Sequence, residues 1–187
     1  MLSRQMNAVI RGSIFALTVL AFAIAPFLLQ PAFADTGPAV RTVPSAQLVG
    51  KGRMTYLGFK MFDAELYAPK GTYSSGAPFA LKLTYLRNFK GKKIAESSVD
   101  EIKRQGGVSQ TQLEAWGKKM QSIFPNVSAG QSITGVRTAS GSSVFYLGSR
   151  KIGTISDPAF TRRFFAIWLG NNTRNPRLRA KLVGAGS

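Results

Sequence analysis

With no histidine and no cysteine in 187 residues, any chemistry this chain performs must use Arg, Lys, Tyr, Ser, Thr or its few acids. His-based triads, thiol nucleophiles, disulfides and the common zinc, iron–sulfur and His-ligated haem sites are excluded at once. The 8 Asp+Glu are outnumbered by 25 Lys+Arg. Carboxylates come close together only at Asp63/Glu65 and Asp100/Glu101. Asp63 and Glu65, two apart on a strand, share one face, which suits an acid/base pair or simple charge balance in a basic protein. No Gly-x-x-x-x-Gly-Lys phosphate loop and no Gly-x-Ser-x-Gly nucleophile turn occurs. Asn126-Val127-Ser128 and Asn171-Asn172-Thr173 match glycosylation sequons, which carry meaning only in a eukaryotic secretory setting.

The cations arrive in bursts, among them Lys92-Lys93, Lys103-Arg104, Lys118-Lys119, Arg162-Arg163 and the run Arg174, Arg177, Arg179, Lys181. A formal charge of +17 favours polyanions of any kind. No zinc finger, helix-turn-helix or RNA-recognition pattern accompanies it, so nucleic acid is not the expected partner. The expected partners are a small ligand and, non-specifically, an anionic envelope; a solvated basic surface is the plainer account of the charge.

The amino terminus points to export. Arg4 and Arg11 precede an apolar run from Ile14 to Leu29, followed by Pro31-Ala32-Phe33-Ala34. This is the layout of a secretory signal peptide over residues 1–34, cleaved between Ala34 and Asp35, although the run approaches the ~20 residues of a retained anchor. The expected location is periplasmic or secreted, with no membrane span left after cleavage. Residues 35–45, polar and broken by Pro38 and Pro44, read as a flexible lead-in.

From residue 46 to 187 the pattern is that of one domain. Strand alternation covers Leu48 to Tyr56 and Phe59 to Tyr67, turning at Leu57-Gly58, and then Phe79 to Leu86 with Leu81, Leu83 and Tyr85 on one face. Helical spacing follows at Ile94, Ser98 and Ile102, ending at Gly106-Gly107. Ser109 and Gln112 form a capping box ahead of Leu113, Trp116, Met120 and Ile123. Three more strands lie near 132–136, 143–147 and 151–155, and Asp157-Pro158 and Asn175-Pro176 open two closing helices. The sum is an α+β domain, an antiparallel sheet with its helices on one side.

Five segments carry a family resemblance: Gly50-Lys51-Gly52-Arg53; Phe59 to Tyr67; Leu83 to Leu86; Ile123-Phe124-Pro125 with Gly130; and Phe165 to Gly170 with Asn175-Pro176. In their order and spacing, from about residue 46 to 184, they resemble the chalcone isomerase superfamily, most closely its bacterial exported branch. The resemblance implies an open-faced sandwich, a large antiparallel sheet beneath a layer of helices, with an apolar cleft between them. In the plant enzymes an Arg and several hydroxyl and amide groups guide an intramolecular ring closure in that cleft.

Matched residue by residue, the resemblance places Arg53 at the family's arginine and Phe62 at its second-strand hydroxyl. Tyr85 takes the place of a lysine, Ile94 that of the catalytic tyrosine, Glu101 that of an asparagine and Ile167 that of a hydroxyl residue. Most of the carbonyl-polarising groups are thus apolar here. Loss of a single preorganised donor can cost roughly 10²–10³ in rate. No catalytic residue, metal or cofactor is therefore expected. The expectation is a non-catalytic binder of a small apolar anion such as a fatty acid, with Phe62, Tyr85, Ile94 and Ile167 around it and the Arg53 guanidinium at its charged end. An isomerase on an unknown, phenolic substrate and a basic envelope-binding protein are the alternatives. Arg53 paired with Asp63 or Glu65, and the apolar residues as plain core, are the purely structural readings.

Overall fold

The computed structural model describes residues 37–184, and the signal segment and cleavage point expected near Ala34/Asp35 lie outside the described residues. Six strands form one sheet in chain order, each antiparallel to its neighbour: β1 (Ala46–Tyr56), β2 (Phe59–Pro69), β3 (Phe79–Tyr85), β4 (Ser132–Arg137), β5 (Ser143–Leu147) and β6 (Arg150–Ile155). Between β3 and β4 the chain makes α2 (Gly91–Gln105) and α3 (Gln110–Ile123), and after β6 it makes α4 (Pro158–Leu169) and α5 (Pro176–Val183). Helices and strands match the α+β class expected from the pattern and the open-faced sandwich implied by the resemblance.

Strand alternation decides which residues meet the helices. Phe62 pairs with Tyr85, Ala64 with Leu83 and Leu66 with Leu81, and all of these pack into the main core beneath α2–α5. The intervening Asp63, Glu65 and Tyr67 point to the other face. Ring packing fills the space between layers: Phe145 meets Phe124 at 5.0 Å and Phe164 at 5.2 Å, and Phe79 meets Phe165 at 4.8 Å, each nearly edge to face. Such pairs add about 0.5–1.5 kcal/mol beyond their buried area.

Capping fixes where the helices begin. Ser109 Oγ accepts from Gln112 N and the Gln112 side chain returns to Ser109 N, completing the box. Asp157 Oδ1 accepts from Ala159 N at 2.8 Å and Phe160 N at 3.1 Å. Its second oxygen accepts from the Trp116 indole at 2.9 Å, tying α3 to the start of α4. Asn175 departs from expectation: α5 does start at Pro176, but no Asn175 side-chain bond caps it. The missing amide donor and fixed φ of Pro176 suffice to start the helix.

The lead-in also departs from expectation. Gly37–Arg41 forms a short helix, α1, and Ala39, Val40 and Val43 are buried against Tyr67, Ala80 and Val136 on the sheet face that α2–α5 leave open. These small apolar residues cover the middle strands, so this part of residues 35–45 packs on the sheet and is not a flexible lead-in.

Candidate functional site

A small hollow of about 30 Å³ lies between the sheet and the helical layer. Its floor is Leu81, Leu83 and Tyr85 of β3, with Ile133 and Gly135 of β4 beside them, and its roof is Ile94 and Ser98 of α2 with Phe164, Phe165 and Trp168 of α4. A Cβ at Gly135 would stand 3.1 Å from the Phe165 ring, so a larger residue there would require that ring to move by a few tenths of an ångström. The space is about that of one liquid water and well short of the ~300 Å³ at the lower end of ligand pockets. The rings of Phe124, Phe145, Phe164 and Phe165 close most of what an open-faced sandwich leaves between its layers.

Two of the residues that line this hollow carry hydroxyls, Ser98 and Tyr85. Ser98 Oγ donates to the Ile94 carbonyl at 2.8 Å, so its proton is in use. The Tyr85 hydroxyl has no hydrogen-bond partner among the described residues, and burial pushes its pKa upward, so it remains a neutral donor at neutral pH. No carboxylate, amine or guanidinium lines the hollow. Such a wall can hold an apolar molecule and offer it one hydrogen bond; it has no base to remove a proton and no cation to stabilise a developing anion.

Of the residues singled out in the sequence, Tyr85 and Ile94 line the hollow. Phe62 stands behind Tyr85, edge-on at 6.2 Å. Ile167 is buried in the main core, but α4 presents Phe164, Phe165 and Trp168 to the space instead. Glu101 is an ion-pair partner, of Arg104 at 2.9 Å and Arg174 at 2.6 Å.

Arg53 is placed on the wrong face for the part expected of it. It pairs with Asp63 across β1 and β2 and so shares the face opposite the helices, while its neighbour Met54 pairs with Phe62 and takes the helix face. One residue along a strand reverses the direction of the side chain. The guanidinium grips Asp63 with two bonds, Nε to Oδ1 at 2.6 Å and Nη2 to Oδ2 at 2.8 Å, at side-chain exposures of 46% and 38%. The Asp63 carboxyl is held below the usual range chiefly by the Arg53 hydrogen bond. Glu65 is likewise paired, with Lys82 at 3.3 Å. Asp63 and Glu65 therefore balance charge on the open face and form no acid/base pair.

The sequence reading passed over Ser98, Trp168 and Phe165 as site residues. The signal for Ser98 was its place between Ile94 and Ile102 on one helical stripe, where a hydroxyl is the odd member. For Trp168 it was the step of one residue from Ile167. Among the described residues no group of acids could hold a metal ion, and no helix is long and apolar enough to cross a membrane.

Comparison with known proteins agrees with this architecture. No curated protein sequence matches the chain. Among solved structures, a fatty-acid binding protein of Arabidopsis thaliana superposes with a TM-score of 0.58 at 12% identity, over 74% of this chain and 87% of that one. That likeness is one of fold. The family model described as chalcone isomerase-like matches residues 43–184, from the start of the sheet to the end of α5, and the chain belongs to the chalcone isomerase-like family.

Proposed function

We propose that this protein is an exported, non-catalytic member of its family that holds a small apolar ligand with a polar end, such as a fatty acid, between sheet and helices. The observation that carries the proposal is Tyr85, a buried residue whose hydroxyl makes no hydrogen bond among the described residues, in the wall of a mainly apolar hollow whose lining holds no acid, base or cation. The fatty-acid binding function of the Arabidopsis neighbour supports the ligand class. At about 30 Å³ the hollow is a closed resting state, so the ligand enters by displacing the roof rings of α4 from the sheet. Ionic anchoring by Arg53 has no place in this reading.

Native mass spectrometry of the protein purified from its own host tests the proposal. A co-purified single-chain acid, or uptake of added laurate at one per chain, is expected; a protein that is empty and ignores laurate would refute it. A chalcone-cyclisation assay addresses the isomerase alternative, for which no rate above background is expected.

Envelope attraction has its own supporting observation. β1 and β2 run to 11 residues each while β3 has 7, so their hairpin projects past the sheet. Its tip exposes Tyr56, Leu57 and Phe59, with the Arg87 guanidinium 4.6 Å above the Phe59 ring. Apolar residues beside cations suit a shallow seat on anionic lipid. Co-sedimentation with phosphatidylglycerol vesicles that weakens in Leu57→Ser and at high salt is expected; equal binding to phosphatidylcholine vesicles would rule this reading out.

A further inference from the structure

A second concavity lies at the other end of β3, outside the hollow and on the far side of Phe165. It is an open groove of about 570 Å³ between α4, the start of α5, the 73–76 loop and the β4–β5 turn. This volume is within the range of ligand pockets, roughly 300–1,000 Å³. Phe79 and Phe165 give it an apolar floor, and Arg137, Arg162 and Arg179 stand around that floor with no carboxylate among the lining residues.

Two of the three guanidiniums are held in place by backbone carbonyls. Arg179 Nε donates to Leu169 O at 2.9 Å, and Arg137 Nη1 donates to Thr138 O at 3.1 Å. The Nε of Arg137 is buried without a hydrogen-bond partner, an uncommon state for a charged donor. Arg162 makes no hydrogen bond or ion pair with the described residues, and none of the three is in an ion pair among them. The half-buried Tyr73 phenol joins this group: burial raises its pKa, while the charges of Arg179 and Arg137 act to lower it. Among the described residues Arg53, Arg104 and Arg174 pair with acids, whereas Arg87, Arg150, Arg163 and Arg177, like the three of the groove, do not. Here three of them meet over aromatic rings with none.

We propose that this groove is a binding site for a phosphomonoester amphiphile, its phosphate seated among Arg137, Arg162 and Arg179 and its apolar group laid on Phe79 and Phe165. Planar guanidinium forks match phosphate oxygens two at a time, and three of them match a dianion better than a singly charged carboxylate. The ring floor explains why the partner is an amphiphile and not the bare anion. The groove shares the Phe165 ring with the hollow but opens on its other side, and the proposal does not rest on ligand binding in the hollow.

The test is a titration of the isotope-labelled full chain, followed through its amide resonances, with hexyl phosphate, inorganic phosphate and hexanol as probes. Hexyl phosphate is expected to move Ser74, Gly76, Gly141 and Asn171 saturably, more weakly as salt is raised. Inorganic phosphate is expected to bind at least roughly tenfold more weakly, since it leaves the rings uncovered, and hexanol to leave these amides unmoved. Arg162→Gln, at an exposed side chain with no bonds to lose, is expected to lower affinity for hexyl phosphate roughly tenfold. Tyr73→Phe serves as an independent second variant, expected to weaken it less. Unchanged affinity in Arg162→Gln, or inorganic phosphate binding as tightly as hexyl phosphate, would overturn the proposal. So would shifts confined to Tyr85, Ile94 and Ser98, which belong to the hollow and report on it separately.

Discussion

Asp157 shows how much one side chain of this protein can hold. Its first oxygen caps α4 through Ala159 N and Phe160 N, and its second accepts a hydrogen bond from the indole N–H of Trp116 on α3. Burial acts to raise its pKa, but the bonds from Phe160, Trp116 and Ala159, with the charge of Lys119, outweigh it and leave the carboxyl below its usual range. Its contribution to stability is thus complete above the unfolded value of about 3.9 and is lost as pH falls through the lower folded value. Asp157→Ala is expected to cost roughly 2 kcal/mol in urea unfolding, from the lost cap and the orphaned indole. Asp157→Asn, which keeps an oxygen for the cap, is expected to cost less and to flatten the acid limb of the stability profile. The cap was legible in the sequence because Asp157-Pro158 is a local signal; the Trp116 bond spans 41 residues and left no trace there. Arg53 is the opposite case. A strand arginine and a strand acid announce a pair, yet which face they occupy depends on a register that is one residue from the alternative. Arg53→Ala is expected to leave both the urea midpoint and laurate binding nearly unchanged, because its bidentate pair is open to solvent.

Among the elements, the legible ones were those with their own signals: alternation in β1–β3, the capping box of α3, the glycine pair that ends α2. α1 carries no such signal, being five residues long and rich in turn-forming neighbours, and its reason for being helical lies in the sheet it covers. Contact between α5 and β1 was equally hidden. Gly50 lies directly under the Lys181 and Leu182 carbonyls, and Gly52 under the Leu178 side chain, where a Cβ would stand 2.7 Å from Leu178 Cδ1. α5 therefore lies on a glycine track, and its Leu178 and Leu182 enter the main core through it. Gly50→Ala is expected to destabilise the fold by about 1–3 kcal/mol, since the obstacle is backbone and cannot rotate away. Urea unfolding measures the cost, and faster exchange of the α5 amides in the variant would identify the helix displaced. An unchanged midpoint would mean that α5 can shift at little cost.

For the molecule as a whole, class and strand order follow from pattern, whereas the site depends on volume, and sequence does not record volume. Ile94 and Tyr85 read equally well as pocket wall or as core, and the difference between the two is a gap of about 30 Å³ left by four phenylalanine rings. Charge was misleading in a similar way: the bursts of Lys and Arg are visible at once, but the three arginines of the outer groove come from β4, α4 and α5 and converge only after folding. The central claim, that the space between sheet and helices opens to hold an apolar ligand, can be read from a single residue. The chain has two tryptophans, and of these Trp168 lines the hollow while Trp116 is bound to Asp157. In a Trp116→Phe background, the fluorescence of Trp168 reports on the hollow alone. Titration with laurate is predicted to give a saturable spectral shift that Arg162→Gln leaves intact and Tyr85→Phe weakens; a Trp168 signal that laurate does not move would contradict the account.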